Sequence, residues 1–278
     1  LAPTTILADQ HFKTFTERFA AFPFTVRMLS RFISRDEQKH TIKLLESGGI
    51  DVVIGTHRLI QKDLKFKKLG LLVIDEEQKF GVSHKERIKN LKRNIDVLTL
   101  TATPIPRTLY MSLSGVWDMS MISTPPPGRT KVETYVSSWN ISVIKQAFER
   151  EIDRGGQIFY VHNRVETIYS TAEKVQKLFP KLKIAVAHGQ LNEHILETIM
   201  TDFVDRKYDV LVCSAIIESG LDIPNVNTII IEQPHKFGLS TLYQLRGRVG
   251  RSTVKAYAYF LYDKKDILSE KSQHRLKA

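Results

Sequence analysis

Cysteine is all but missing from this 278-residue chain, whose one thiol, Cys213, lies in the apolar run Val210-Leu211-Val212-Cys213. A lone cysteine excludes an internal disulfide and suits a reducing compartment, and within an apolar run it reads as a small buried hydrophobe rather than a reactive thiol. Long hydrophobic runs are missing too: no stretch approaches the roughly 18 apolar residues a membrane span requires, and nothing resembles a signal peptide. A cytoplasmic location is therefore expected. Nine histidines are present, yet none stands at metal-ligand spacing from a second histidine or from Cys213, which argues against a structural zinc. His162 and His188 are expected to be satisfied by backbone hydrogen bonds. No internal repeat, low-complexity tract or basic tail stands out. The chain opens on Leu1 rather than Met and closes on Leu276-Lys277-Ala278, and so reads as a segment of something longer.

What is present is a basic, well-mixed composition. The chain is 42% hydrophobic and 26% charged, with a net charge of +11. Lys and Arg neutralise phosphates and release their counterions, so the excess favours a polyanionic partner. It is spread along the chain, since residues 1–125 hold 19 Lys and Arg against 13 Asp and Glu. The lysines from Lys62 to Lys68 read as a solvated face.

Short β-branched runs alternate with helical patterns. Strands are expected at Asp51 to Gly55, Leu71 to Ile74, Val97 to Leu100, Gln157 to His162, Lys183 to His188, Asp209 to Cys213 and Asn227 to Glu232. Strand alternating with helix predicts an α/β fold with parallel sheets covered on both faces. A helix is expected from Arg35 to Glu46, with Ser34 as its cap, Glu37 reaching back to complete a capping box, and Ile42, Leu44 and Leu45 on its buried side. Consecutive prolines from Pro125 to Pro127 can neither continue a helix nor donate to a ladder, so a linker is expected there.

Three local sequences carry chemistry. In Leu71 to Gln78, four apolar residues run into Asp75, Glu76 and Glu77, at the carboxyl end of a buried strand where open parallel sheets bind ligands. Adjacent carboxylates repel unless a cation or a proton-accepting role justifies them, although a solvated acidic turn has the same composition. The next strand ends in Thr101-Ala102-Thr103-Pro104, hydroxyls followed by a proline suited to a helix start. Gln244 to Arg251 places Arg246, Arg248 and Arg251 among glycines that allow close backbone approach. If helical, Arg248 and Arg251 share one face and could grip charge on a transferring phosphoryl group; a generic basic surface helix is the alternative.

In this order the pieces resemble superfamily 2 helicases and translocases over nearly the whole chain. Pro3-Thr4-Thr5-Ile6-Leu7-Ala8 looks like motif Ia, Gly55-Thr56-His57 like motif Ib, Asp75 to Gln78 like motif II and Thr101-Ala102-Thr103 like motif III. Phe159 to Asn163 sits where motif IV falls, Glu218 to Pro224 is similar to motif V, and Gln244 to Arg251 to motif VI. The string Thr101 to Leu109 is shared by the bacterial transcription-repair coupling factors and the fork-remodelling RecG helicases. Arg31 to Gln38, Asp75 to Val82, His84 to Lys89 and Gly250 to Tyr262 look more like the coupling factors.

The resemblance implies two RecA-like parallel-sheet domains in tandem: a first at 1–125, truncated at its start, a second at 126–262, and the beginning of a translocating helical hairpin at 263–278. It implies ATP and Mg²⁺ as cofactors and double-stranded DNA as partner. Asp75 would hold Mg²⁺ through water, and Glu76 would be the general base. Arg248 and Arg251 would reach the phosphates across an interdomain cleft, while Gln78, Gly220, Asp222 and Gln244 would bind nucleotide or couple it to the opposite domain. Pro3, Thr4, Thr5, Gly55, Thr56, His57, Arg58, Thr101 and Thr103 would contact the DNA backbone, positioning without reading sequence. The phosphate-cradling Gly-x-x-x-x-Gly-Lys-Thr loop is not in this sequence and would lie upstream of Leu1, so the segment alone is expected to be inactive. RNA polymerase and a damage-recognition protein are implied as partners through domains that lie elsewhere.

Overall fold

A computed structural model describes residues 1–81, 84, 88, 95–102, 118–125, 128–218, 222–263, 272 and 276. The proline linker at Pro126 and Pro127, the hairpin start, Thr103 and Gly220 lie outside the described residues. The chain divides into two compact units, Leu1–Ser120 and Met121–Ala278.

In the first unit, helix α1 (Thr5–Phe19) is capped by Thr4, whose Oγ1 accepts from Leu7 N at 3.3 Å. It lays Leu7 and Ala8 against Ala2 and Ile54. Strand β1 (Val26–Leu29) pairs in parallel with β2 (Val52–Gly55), and β3 (Leu71–Asp75) with β4 (Asp96–Leu100). Leu1 and Ala2 join the two pairs. Leu1 N donates to Val73 O at 2.8 Å, Asp75 N donates to Leu1 O at 2.9 Å, and Ala2 N donates to Gly55 O at 2.9 Å. Gly55 is required at that junction, since a Cβ there would stand 2.2 Å from the Leu29 carbonyl oxygen.

Helix α2 (Arg35–Ser47) forms with the expected box: Glu37 N donates to Ser34 Oγ, and Ser34 N to Glu37 Oε2 at 3.0 Å. Hydrogen bonds from Ser34 hold the Glu37 carboxyl below its usual range. Leu45 is buried while Ile42 and Leu44 are half-buried, and Gly48 ends the helix in the left-handed conformation with φ 81°, where a side chain is strained.

The second unit is built on six strands, all parallel: β5 (Glu133–Ser138), β6 (Gln157–Val161), β7 (Ile184–Ala187), β8 (Val210–Cys213), β9 (Val226–Glu232) and β10 (Tyr257–Tyr262), in the order β5-β10-β9-β6-β8-β7. Every residue of β6 and β8 is buried, as expected of strands covered on both faces. Helices α3 (Ile141–Asp153), α4 (Val165–Leu178) and α5 (Glu193–Val204) intervene, and Ile144, Phe148, Ile168 and Val175 pack on Ile158, Tyr160 and Val212. Helix α6 (Leu239–Arg246) precedes β10. Cys213 is fully buried, and burial pushes its thiol well above its ordinary range.

A repeat not evident from sequence reading emerges in the backbone. Ile74-Asp75-Glu76-Glu77-Gln78-Lys79-Phe80-Gly81 and Ile231-Glu232-Gln233-Pro234-His235-Lys236-Phe237-Gly238 share four of eight residues and one conformation. In each, the strand ends in an acid and the next residue is left-handed, at φ 51°, ψ 50° for Glu76 and φ 51°, ψ 52° for Gln233. A short 3₁₀ turn follows, then a buried Phe at 6% and 5% exposure. The left-handed residue donates to the neighbouring strand both times, Glu76 N to Leu100 O at 3.0 Å and Gln233 N to Leu261 O at 2.8 Å. A non-glycine residue there costs of order 1–3 kcal/mol and persists only where its surroundings fix it.

Candidate nucleotide and DNA site

The strand end of β3 gathers the motif II and motif III residues. Glu76 is 5% exposed, and Gln78 Nε2 donates to its Oε2. Thr101, just past β4, donates through Oγ1 to Gln78 Oε1 at 3.3 Å. A chain of side chains thus runs from Thr101 through Gln78 to Glu76. Asp75 is less buried, and its Oδ2 lies 2.9 Å from Nε2 of His11 on α1. A carboxylate can only accept, so His11 Nε2 is the donor. Sequence reading passed over His11 because its partner is 64 residues away, and no spacing rule connects them.

Of the residues expected on the DNA side, Pro3 to Thr5 and Gly55 to Arg58 fall in two adjacent segments joined by the Ala2–Gly55 hydrogen bond, whereas Thr101 lies just past β4. Pro3 and Thr4 are half-buried and His57 is exposed, whereas Thr5 and Thr56 are 3% and 5% exposed and pack inside. Arg58 is held by Asp63 through two bonds, Nη1 to Oδ1 at 2.8 Å and Nη2 to Oδ2 at 2.6 Å. These bonds hold the Asp63 carboxyl below its usual range. Any phosphate taking Arg58 must compete with Asp63.

In the second unit, α6 stops at Arg246, where Gly247 N donates to Tyr243 O at 2.9 Å. Arg248 and Arg251 therefore follow the helix, and the expected shared helical face is not formed. Gly250 explains why, since it takes φ 74°, a turn that breaks helical progression. Arg248 is 5% exposed. Arg251 is held by the Gly247 carbonyl oxygen at 3.3 Å, and its Nη1 stands 3.5 Å from Asp222 Oδ1, so the motif V acid and the motif VI arginine meet. Gln244 lies half-buried on α6.

His162 and His188 depart from expectation, because their rings bond to side chains. His162 Nδ1 is 2.6 Å from Glu232 Oε2 and its Nε2 is 2.8 Å from Thr167 Oγ1. Tyr160 donates to Glu232 Oε1 at 2.5 Å, and burial, then the Glu232 charge, raises its phenol well above the usual range. His188 Nε2 meets the Tyr169 hydroxyl at 3.1 Å.

Among the described residues no group of three or more His, Cys, Asp or Glu could hold a metal. Mg²⁺ has no need of one, because it is commonly held by one or two carboxylates with waters and substrate phosphates. The partly exposed Asp75 at a strand end fits that role. Among the described residues no helix is long and apolar enough to cross a membrane.

Two units of parallel sheet, with acids at the end of β3 and arginines after α6, define a helicase-type fold. Residues 1–112 match the DEAD/DEAH box helicase family and residues 139–253 the helicase conserved C-terminal domain, so the chain carries matches to these two domains in tandem. It is a relative of the transcription-repair coupling factors, 55% identical over all 278 residues to those of Staphylococcus epidermidis and Staphylococcus aureus. It spans 24% of their length. A solved structure of RecG bound to a three-way DNA junction superposes over the whole chain with a TM-score of 0.81 and 36% identity, covering 37% of that protein. Yeast Dbp5 bound to RNA and ADP BeF3 shares the fold, at TM-score 0.72 and 16% identity over 100% of this chain and 72% of that one.

Proposed function

We propose that the intact protein is an ATP-driven double-stranded-DNA translocase acting in transcription-coupled repair, where it displaces stalled RNA polymerase. The observation that carries this reading is the 55% identity to transcription-repair coupling factors along the entire chain, against 36% to RecG. A non-hydrolysing nucleic-acid-binding module is disfavoured by Glu76, a buried acid held by Gln78 at a strand end, which amide and hydroxyl contacts to a DNA backbone would not require.

Glu76 accepts the proton of the water that attacks the γ-phosphate, in the general-base role. Gln78 holds Glu76 and ties it to Thr101, so a shift at the end of β4 is felt at the base. Asp75 would hold Mg²⁺, which when bound would offset phosphate charge. Arg248 and Arg251 supply guanidinium charge to the transferring phosphoryl group, with Gly220 and Asp222 close to the nucleotide. Pro3 to Thr5, Gly55 to Arg58, Thr101 and Thr103 hold the DNA backbone through amides and hydroxyls. The division at 1–125, 126–262 and 263–278, and contacts with RNA polymerase and a damage-recognition protein made elsewhere in the protein, belong to the same proposal.

The test is phosphate release with and without duplex DNA. The full-length protein is expected to be stimulated by DNA. The 278-residue segment, whose sequence contains no Gly-x-x-x-x-Gly-Lys-Thr loop, is expected to release little, since positioning provides most of the catalysis in this chemistry. Robust DNA-stimulated turnover by the segment would mean that its ATP phosphates bind elsewhere.

A further inference from the structure

We infer that His11 is a positioning residue of the nucleotide site, orienting the Asp75 carboxylate and coupling it through α1 to the DNA-contacting loop. This rests on the proposed function, since it gives a role to Asp75 that only a nucleotide-hydrolysing motor requires. His11 Nε2 donates to Asp75 Oδ2 at 2.9 Å, and no other described side chain hydrogen-bonds to Asp75. The pair is neither sealed nor freely solvated, at 35% exposure for His11 and 23% for Asp75. The same helix begins at Thr5 with Thr4 as its cap, two turns before His11. A rigid helix therefore carries a proposed phosphate-backbone contact at one end and a direct bond to the proposed Mg²⁺-binding carboxylate further along.

The duplicated turn supplies a contrast. The acid equivalent to Asp75 is Glu232, which also takes an imidazole, that of His162, but its second oxygen is filled by the Tyr160 hydroxyl. Glu232 thus has a protein partner on each of its two oxygens. Asp75 is held by one oxygen only, which fixes its direction while leaving acceptor capacity for a hydrated cation. Hydrogen bonds of this kind to a metal-binding group commonly change metal affinity or activity about 10- to 100-fold when removed.

The experiment uses full-length protein and a fluorescent ADP analogue, titrating Mg²⁺ with and without duplex DNA and following nucleotide binding as well as phosphate release. His11→Leu keeps size and helix propensity but cannot donate; His11→Gln places an amide N–H close to the position of Nε2. His11→Leu is expected to need about tenfold more Mg²⁺ for half-maximal nucleotide binding and to lose most of the effect of DNA on that value. His11→Gln should restore both to within about threefold, and both variants should unfold at wild-type temperature. A wild-type Mg²⁺ curve for His11→Leu overturns the inference, as does a His11→Gln variant impaired equally with His11→Leu. A wild-type protein that neither binds the nucleotide nor hydrolyses ATP with DNA would remove the proposed function and this inference with it. DNA-stimulated hydrolysis that is insensitive to His11 removes the inference alone.

Discussion

The turns that follow β3 and β9 have the same backbone and opposite chemistry. Both end a strand in an acid, turn through a left-handed residue and anchor on a buried Phe. After β3, the left-handed residue is a buried Glu76 held by Gln78, and the acid before it keeps partial exposure with one imidazole donor. After β9, Gln233 takes that place, with an oxygen that accepts from Lys236 Nζ at 2.5 Å, and Glu232 before it is closed off by Tyr160 and His162. One geometry thus carries the proposed general base in the first unit and a packed amide in the second. The difference lies in four side chains.

The largest effect on stability should come from testing that division of labour. Glu232→Ala removes the acceptor of the Tyr160 hydroxyl and leaves His162 Nδ1 only Thr171 Oγ1 at 3.5 Å, at a cost of roughly 3 kcal/mol. Asp75→Ala should cost under about 1 kcal/mol, since its one bond is partly solvated, while Mg²⁺-dependent nucleotide binding is lost. Denaturant unfolding of both variants measures the contrast, and equal destabilisation would break it.

Glycines sharpen the comparison at a smaller scale. Gly55→Ala drives a Cβ to 2.2 Å from the Leu29 carbonyl oxygen, and separating β1 from β2 should cost roughly 2 kcal/mol. The twin glycines that close the two turns, Gly81 and Gly238, have nothing within 4 Å of an added Cβ, so alanine at either should change stability by under about 0.5 kcal/mol. A large loss at Gly238 would show that the turns differ in more than their side chains.

The smallest effect is confined to the second unit. Burial holds the Cys213 thiol neutral in the folded state, whereas in the unfolded chain it ionises near pH ~8.5. Its folded-state value is raised, so its contribution to stability is complete below that pH and is lost as pH rises. Cys213→Ala should flatten the slope of unfolding free energy between about pH 7.5 and 9.5. Rapid labelling of the native thiol at pH 8 would contradict this account.

Much of this arrangement was legible in the residues. The acid triplet after Leu71 to Ile74 marks its strand end because an apolar run abuts charge, although only Ile74 of that run is buried, and Ser34 with Glu37 marks the start of α2 by short-range chemistry alone. Strand β1 was missed because it has four residues and is only half-buried at its start. β5 lacks an apolar signal because it is an edge strand with three exposed and three half-buried residues. β10 did carry a signal, six aromatic and aliphatic residues without a charge, as strands favour. The twin of the motif II turn escaped notice because Glu232-Gln233-Pro234-His235 lacks an acid cluster, and its kinship lies in backbone angles. His11 and Glu232 depend on partners 64 and 70 residues distant, which local pattern cannot supply. The condition that Arg248 and Arg251 be helical is not met, because the helix stops at Arg246 and Gly250 takes φ 74° between the two arginines, a turn that residue type alone does not announce.

Two turns of one backbone geometry are thus proposed to do different work, with Glu76 as the proton acceptor of the pair. The most direct measurement exchanges the left-handed residues in full-length protein, Glu76→Gln in one variant and Gln233→Glu in the other, and follows DNA-stimulated phosphate release alongside nucleotide and duplex binding. The account predicts that Glu76→Gln lowers turnover by a factor of about 10² to 10⁴ with both bindings kept, that Gln233→Glu remains within about threefold of wild type, and that the double variant is as slow as Glu76→Gln alone. Near-normal hydrolysis by Glu76→Gln, or recovery of turnover in the double variant, would contradict it.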